Sequence, residues 1–287
     1  MSRHLRSLTR GGVYHVMNRG NRKQRIFEDV RDRTRFLRIL IEEIDTQGVD
    51  LLAGAQVENH FHLIVRTPYG NLSDFMARLE GRFARYSNWR HGHVGHLFQG
   101  RFRDVVIEHD IHLLIALCYV FLNPLRARLV ARPEDYKWST YAATAGFAPL
   151  PDYLCIDWLT SLFPSDSVSR SQLRFRSLMA EAKPVAAYLN GHDDLGSDPV
   201  RRVIRSYVGE QVNLELLPRP YRSILRSQLP DLIKIGLAPA TRSDAIYEAH
   251  VVHGYKLAEI ARQLHLHPAT VSKIFRRTCA SRRHSAA

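Results

Sequence analysis

The sequence predicts an α+β fold: a ferredoxin-like antiparallel sheet with packed helices, followed by an all-α C-terminal region containing a helix-turn-helix. Three observations support this fold class. Strand-like and helix-like hydrophobic periods follow one another in the order strand, helix, strand, strand, helix, strand. A further, mostly apolar helix comes after the last strand. The end of the chain contains only helical patterns, which are separated by short turns.

Each predicted element rests on its own local signal. The elements of the first half are strand 13–17, helix 30–47, strands 51–57 and 60–65, helix 72–89, strand 103–107 and helix 109–123. A polar, basic loop containing Gly20 follows the first strand. Gly48 stands where a helix C-cap is expected, directly after the first helix. Only two polar residues separate the second and third strands, which predicts a tight turn between them.

Three regions are expected along the chain. Residues 1–147 contain the sheet and end in a stretch rich in Gly and Pro. Residues 148–200 have short helical patterns interrupted by Pro and Gly, and their polar end, 192–199, is typical of a linker. We interpret 148–200 as a helical connector and 201–287 as the helix-turn-helix region.

Composition and charge favour a globular protein with a polyanionic partner. The 287 residues are 45% hydrophobic and 24% charged, and the formal net charge is +13. A basic excess of this size favours nucleic acid first and an anionic membrane surface second. No basic amphipathic helix stands apart from the predicted folded regions, so the membrane is the weaker alternative.

The sequence indicates a cytoplasmic protein that associates with the nucleoid through DNA. No apolar run is long enough to span a membrane, and none follows the basic N-terminal residues, so we expect no signal peptide. The three cysteines, Cys118, Cys155 and Cys279, are far apart and odd in number. They predict neither a disulfide framework nor a zinc knuckle, and they fit a reducing compartment.

Two histidines on the third strand are candidate metal ligands. Side chains alternate across a strand, so His60 and His62 face one side and Phe61 faces the other. Neutral imidazoles are common metal ligands, and two on one face can share an ion. The alternative is a structural or solvated pair, since a His-X-His pattern by itself is a weak signal.

Tyr119 and Asn123 are separated by one turn of the last predicted helix. This spacing puts both side chains on the same face, so that a phenol and a carboxamide project together from an apolar helix. The alternative is a core tyrosine and an asparagine that ends the helix before Pro124.

Two basic or histidine-rich stretches allow more than one interpretation. Arg78, Arg82 and Arg85 recur on helix 72–89, where they form either a solvated face or a phosphate-binding face. The loop 91–96 is rich in His and Gly, but its irregular spacing is a poor match to a metal-binding tract.

The last two helical patterns predict a helix-turn-helix. Residues 255–264 and 268–277 are the helices, and Ile260, Leu264, Val271 and Ile274 form the predicted buried seam. His265 or Leu266 takes the place of the usual turn glycine. The alternative is a generic helical hairpin. DNA binding is favoured by the basic chain and by the polar residues of the second helix, which are Thr270, Ser272, Lys273, Arg276 and Arg277.

Five ordered stretches within residues 11–146 resemble the single-tyrosine HUH transposases, and among them the REP-associated tyrosine transposases. They are YHVMNRGN at 14–21, NHFHL at 59–63, GHLFQGRF at 95–102, Tyr119 with NPLRA at 123–127, and RPEDYKWS at 132–139. Val57 and Glu58 replace the methionine and proline expected before Asn59. This difference changes the turn and not the ligands.

The resemblance implies an enzyme that cleaves and rejoins single-stranded DNA with Mg²⁺ or Mn²⁺. It implies His60, His62 and Asn123 as the metal ligands and Tyr119 as the nucleophile, which would form a 5′-phosphotyrosine and release a 3′-OH. The implied partners are REP-like DNA hairpins, with duplex or hairpin binding added by the C-terminal region. Candidates for strand or hairpin contacts are Arg19, Arg22, Arg101 and Arg103; ordinary surface charge is the alternative.

Two other functions compete with this interpretation. One is a domesticated protein that binds DNA hairpins without cutting them, which the presence of both histidines, Tyr119 and Asn123 disfavours. The other is a metal-dependent hydrolase of small phosphoesters, which the charge and the tyrosine disfavour. The long C-terminal region favours a monomer, with a weak homodimer as the alternative.

Overall fold

The structure is a computed structural model that describes residues 9–188 and 229–284. The chain divides into two compact units, Met1–Ala187 and Tyr188–Ala287. The predicted linker 192–199 and the start of the predicted C-terminal region lie outside the described residues. Within the described ranges, no helix combines the length and apolar character needed to cross a bilayer.

The first unit is built on a four-stranded antiparallel sheet with the strand order β2-β3-β1-β4. Its strands are β1 (Gly12–Arg19), β2 (Asp50–Gln56), β3 (His60–Thr67) and β4 (Arg103–Ile107). Helix α1 (Val30–Gln47) follows β1, and helix α2 (Leu72–His91) follows β3. This is the predicted ferredoxin-like order. The two central strands, β1 and β3, pair along their full length, from Gly12 opposite Thr67 to Arg19 opposite His60.

Strand β1 is longer than predicted. Asn18 and Arg19, which the sequence analysis assigns to a loop, continue the strand, with Asn18 opposite Phe61. The carbonyl of Arg19 accepts a hydrogen bond from the N–H of Gln99 at 3.0 Å. The polar, basic character of Asn18 and Arg19 is typical of a loop. Only their pairing with residues that are distant in sequence extends the strand. A short 3₁₀ turn, Asn21–Lys23, follows.

Helices α1 and α2 cover one face of the sheet and form the main core with it. Phe36 of α1 meets Phe61 of β3 and Phe83 of α2, with ring centres 5.0 and 5.1 Å apart. Phe61 lies between His60 and His62 in the chain, so both histidines point to the other face of the sheet. The core thus fixes the direction of the two imidazoles.

Helix α1 has the termini that its sequence predicts. At its start, the Asp29 carboxylate accepts hydrogen bonds from the N–H groups of Arg31 and Asp32. At its end, Gly48 adopts a left-handed conformation with φ 59°, and its N–H donates to the carbonyl of Ile44. These caps fix where the helix begins and ends.

Helix α3 (Asp110–Arg126) packs on the opposite face of the sheet, against β2, β3 and β4. It continues through Pro124, so the alternative in which Asn123 ends the helix is wrong. The N–H of Ala127 still donates to the Asn123 carbonyl at 2.9 Å. Proline is tolerated because the helix ends shortly afterwards, and only one backbone hydrogen bond is lost there.

Residues after 147 pack onto the same unit, so its observed boundary at Ala187 differs from the predicted one. A 3₁₀ turn (Pro133–Asp135) and helices α4 (Tyr141–Thr144), α5 (Asp157–Leu162) and α6 (Val168–Tyr188) form this part. The ring of Phe175 on α6 lies 5.9 Å from that of Phe121 and 5.7 Å from that of Trp158. These aromatic contacts join residues far apart in sequence, which local patterns do not reveal.

The second unit is helical over its described residues. It contains α7 (Leu229–Leu232), α8 (Pro239–Val251), α9 (Leu257–Gln263) and α10 (Pro268–His284). Its core includes Ile246, Ile260 and Val271, each 0% exposed, with Leu264 at 8%. The predicted seam between α9 and α10 is therefore present, and Ile274 is partly buried against it.

Candidate active site

The two histidines of β3 meet the polar side chains of α3. The Oδ1 of Asn123 lies 3.3 Å from Nε2 of His60. The amide nitrogen of Asn123 lies 3.1 Å from Nε2 of His62. The carboxamide therefore bridges the two imidazoles. Because β3 is a central strand and α3 is packed against it, both sides of this arrangement are rigidly held.

The spacing of these atoms suits a single metal ion. Two ligand atoms at about 2.1 Å from an ion and at right angles to each other are about 3 Å apart. The Oδ1 of Asn123 and Nε2 of His60 are separated by such a distance, 3.3 Å, and Nε2 of His62 lies 3.1 Å from the nitrogen of the same carboxamide. Among the described residues, no group of three or more His, Cys, Asp or Glu side chains could hold a metal. The Asn123 oxygen is the candidate for a third protein ligand beside the two imidazoles.

The imidazoles are held neutral. Burial lowers the pKa of His60 to about 4, and the nearby charges of Arg19 and Arg126 lower it as well. Burial also lowers the pKa of His62 well below its usual value, with further contributions from His60 and His15. A neutral imidazole has a free lone pair, so both side chains are in the form that binds metal at neutral pH.

His15 is part of the site and is missing from the sequence-based set of site residues. Its Nε2 lies 3.0 Å from Nδ1 of His62, and it is 1% exposed. Burial, followed by the charge of His112, lowers the pKa of His15 to about 3. The stretch 14–21 contains this histidine, but only the pairing of β1 with β3 brings it beside His62.

Tyr119 lies beside the histidines on the same side of the sheet. Its ring centre is 5.2 Å from that of His62 and 5.6 Å from that of His15. The ring is half-buried. The guanidinium of Arg126 lies 5.4 Å from the ring centre, and its Nε is buried without a hydrogen-bond partner in the described residues. Arg126 thus supplies a positive charge and a free donor next to the phenol.

The four arginines predicted to contact the DNA strand are all exposed. Arg19 pairs opposite His60, and Arg103 pairs opposite Met17, which puts both on the face of the sheet that carries the histidines. Arg22 lies in the 3₁₀ turn after β1 with φ 52°, and Arg101 precedes β4. Two of the four therefore lie on the histidine-bearing face, and Arg19 is directly opposite His60.

The histidine-rich loop takes part in an ion-pair cluster. His91 lies 3.0 Å from the carboxylate of Asp32, and Arg90 also pairs with that carboxylate. His93 and His96 are exposed. No metal-binding group of histidine and acidic side chains occurs here within the part of the chain that the structure describes.

The helix-turn-helix presents its predicted polar residues on α10. Thr270, Lys273 and Arg276 are exposed, Ser272 is half-buried, and Val271 between them is fully buried. His265 adopts φ 53°, the left-handed conformation that a turn glycine usually provides. The turn thus keeps its geometry without glycine.

Similarity to known proteins is found for a solved structure and for a family. A solved structure described as "Structure of the REP associates tyrosine transposase bound to a REP hairpin" is 18% identical, with a TM-score of 0.45. The similarity covers 54% of this chain and 93% of the other. No curated protein matches the sequence.

A family described as "Transposase IS200 like" matches residues 10–120. This range contains β1 with His15, β3 with His60 and His62, and most of α3 with Tyr119; it stops before Asn123. The transposase resemblance drawn from the sequence motifs is thereby confirmed, and residues 10–120 are a match to the IS200-like transposases.

Proposed function

We propose that this protein is a metal-dependent transposase-type enzyme that cleaves and rejoins single-stranded DNA. The observation that carries the proposal is the convergence of His60, His62 and Asn123 next to the ring of Tyr119. The match to the IS200-like transposases supports the same reaction class. The net charge of +13 supports a nucleic-acid substrate. The choice of hairpin DNA follows the resemblance of the motifs to the REP-associated enzymes.

In the proposed reaction, Tyr119 is the nucleophile. Its phenolic oxygen attacks the phosphorus of a phosphodiester, and its proton passes to solvent. The P–O3′ bond breaks, and the 3′ oxygen takes up a proton. The products are a 5′-phosphotyrosine and a free 3′-OH. Attack by another 3′-OH reverses these steps and joins strands without ATP, because the number of phosphodiester-type bonds is conserved.

The remaining residues hold the phosphate and balance its charge. The free Nε of Arg126 is suited to donate a hydrogen bond to a phosphate oxygen beside Tyr119. Arg19 and Arg103 are suited to contact the flanking phosphates. His60, His62 and Asn123 would hold Mg²⁺ or Mn²⁺, which when bound polarises a phosphoryl oxygen.

Covalent trapping tests the nucleophile. The protein is mixed with labelled single-stranded hairpin DNA and Mn²⁺, and a denaturing gel is run beside Tyr119→Phe. We expect a shifted band that requires the ion and is absent in the variant, while DNA affinity is retained. Tyr69→Phe is the matched control, because Tyr69 is 68% exposed and lies outside the site; its band should persist.

Two results contradict the proposal. A band of normal intensity in Tyr119→Phe would exclude this phenol as the nucleophile. Tight binding without any band, over a varied set of hairpins, would instead favour the hairpin-binding protein that does not cut.

A further inference from the structure

The structure separates the arginines of α2 into two groups. Arg78 and Arg82 both pair with Glu43, at 3.1 and 2.7 Å. Arg90 pairs with the carboxylates of Asp29 and Asp32. These three arginines are used in joining α2 to α1. Not every arginine on the helix is therefore available to the predicted phosphate-binding face.

A shallow groove remains on the outer side of α1 and α2, lined by Arg35, Arg82, Arg85, Tyr86 and Trp89. Trp89 is 83% exposed, although indole rings are usually largely buried. Arg85 is exposed and has no acidic partner within residues 9–188 and 229–284. The Arg35 guanidinium lies 5.7 Å from the ring centre of Tyr86. The groove thus combines an open aromatic surface with guanidinium groups.

This groove is distinct from the candidate active site. Helices α1 and α2 bury Phe61 beneath them, whereas His60 and His62 on the same strand face α3. The groove lies on the side of α1 and α2 that faces away from the sheet. A strand bound in it therefore lies across the sheet from Tyr119.

We propose that this groove binds an unpaired stretch of DNA, with one base stacked on Trp89 and its phosphates held by Arg85 and Arg35. An exposed indole offers a flat surface that suits any base. The guanidinium groups nearby provide charge and donors for phosphate oxygens. Duplex DNA is a poorer occupant, because its bases are already stacked on each other. The site goes beyond the proposed cleavage activity and does not require it.

Tryptophan fluorescence tests the stacking. The full-length protein is titrated with an oligothymidylate in EDTA, so that no metal-dependent reaction contributes. We expect the emission to be quenched, and the quenching to disappear in Trp89→Phe. The chain has two other tryptophans; Trp158 is buried and Trp138 is half-buried, so the difference between the two proteins isolates Trp89. Equal quenching in both proteins would overturn the proposal.

Affinity measurements by fluorescence anisotropy test the groove as a whole. Trp89→Ala should weaken binding of the same oligonucleotide about 5- to 100-fold, the range for loss of one stacked base. Arg85→Ala should also weaken binding and reduce the slope of log K against log salt by about 0.7. Arg170→Ala is the matched control, because Arg170 is a 68% exposed surface arginine on α6. If it weakens binding as much as Arg85→Ala, only general charge is involved.

Two further measurements distinguish the groove proposal from the cleavage proposal and from binding of an acidic protein. Tyr119→Phe should bind and quench like the wild type, so failure of the cleavage chemistry leaves this readout intact. Polyglutamate should not quench Trp89. Equal quenching by polyglutamate would replace DNA with an acidic protein segment as the occupant and overturn the proposal.

Discussion

His15 lies one hydrogen bond away from the candidate metal ligands. When Nε2 of His62 is free to bind an ion, Nδ1 of that ring carries the hydrogen and donates it to Nε2 of His15 at 3.0 Å. Such a partner fixes the tautomer and the orientation of the ligand. His15 is therefore a positioning residue, which acts through His62.

Substitution of His15 should weaken metal binding. His15→Phe keeps an aromatic ring and removes the acceptor, so we expect Mn²⁺ affinity to fall about 10- to 100-fold. His15→Gln retains an oxygen acceptor and should lose less affinity. Isothermal titration with Mn²⁺ in the absence of DNA gives the constants, and thermal unfolding checks that each variant is folded. Wild-type affinity in His15→Phe would show that His62 needs no such partner.

Glu43 links helices α1 and α2. Its side chain is 2% exposed and accepts hydrogen bonds from Arg78, Arg82 and Gln47. Burial raises the pKa of Glu43, but the hydrogen bonds from Arg82 and Gln47 outweigh this effect, and the net pKa is lowered from 4.5. Because the folded state releases the proton more readily than the unfolded state, the carboxylate stabilises the fold above about pH 4.5. The contribution is lost as the pH falls below that value.

Glu43→Gln should lower the free energy of unfolding by about 1–3 kcal/mol at pH 7. The difference from wild type should be smaller at about pH 3.5, because the contribution of the carboxylate begins to be lost once the pH falls below 4.5. Urea denaturation at both pH values measures it. Asp166→Asn is the matched control, because its pair with Arg170 is exposed and worth about 1 kcal/mol or less. An equal loss at both pH values would contradict the role of charge.

The ends of a helix or strand are predictable from the sequence where the residues that determine them are close together in the chain. Helix α1 begins and ends at the predicted residues, because its periodicity and Gly48 are both within the segment. The directions of His60 and His62 also follow from strand alternation. The local sequence around Arg19 predicts a loop, because the strand pairing of this residue depends on β3 and on Gln99, which are distant in sequence.

The composition of the site was predictable only in part. Tyr119 and Asn123 share a helix face, which the spacing shows, and they meet the two histidines as the motif resemblance implies. His15 joins them through the register of two strands, and Arg126 through the continuation of α3 past Pro124. Neither strand register nor the effect of a helix proline is contained in a residue pattern.

At the scale of the whole molecule, the net charge is +13, and the described residues of both units include exposed basic side chains that contribute to it. In the first unit, acidic residues of α1 neutralise several arginines of α2, while Arg19, Arg103 and Arg85 remain exposed. In the second unit, exposed Lys273 and Arg276 lie on the second helix of the helix-turn-helix. The family match ends at residue 120, so the second unit lies outside it.

We therefore expect duplex recognition and strand cleavage to be separable. Lys273→Glu should weaken binding to a hairpin with a long duplex stem about 10-fold or more, since it would replace the expected phosphate contact with a repulsive charge. Covalent adduct formation on a saturating unpaired oligonucleotide should be unchanged. Lys234→Glu, an equal charge change at an exposed position of the same unit, is the control. Anisotropy and trapping gels measure the two properties, and a parallel loss of both would contradict their independence.

The bridge formed by Asn123 has a consequence for how the protein responds to its surroundings. The carboxamide lies between His60 and His62, within 3.3 Å of one imidazole and 3.1 Å of the other, so the three side chains contact one another without an ion. We therefore expect the chain to fold without a metal, in contrast to small zinc domains that unfold when their ion is removed. If the proposed cleavage requires the ion, a cell depleted of divalent ions would keep an intact protein that does not cut DNA. Restoring the ions would reactivate it without new synthesis, so ion availability would act as a reversible brake on DNA rearrangement.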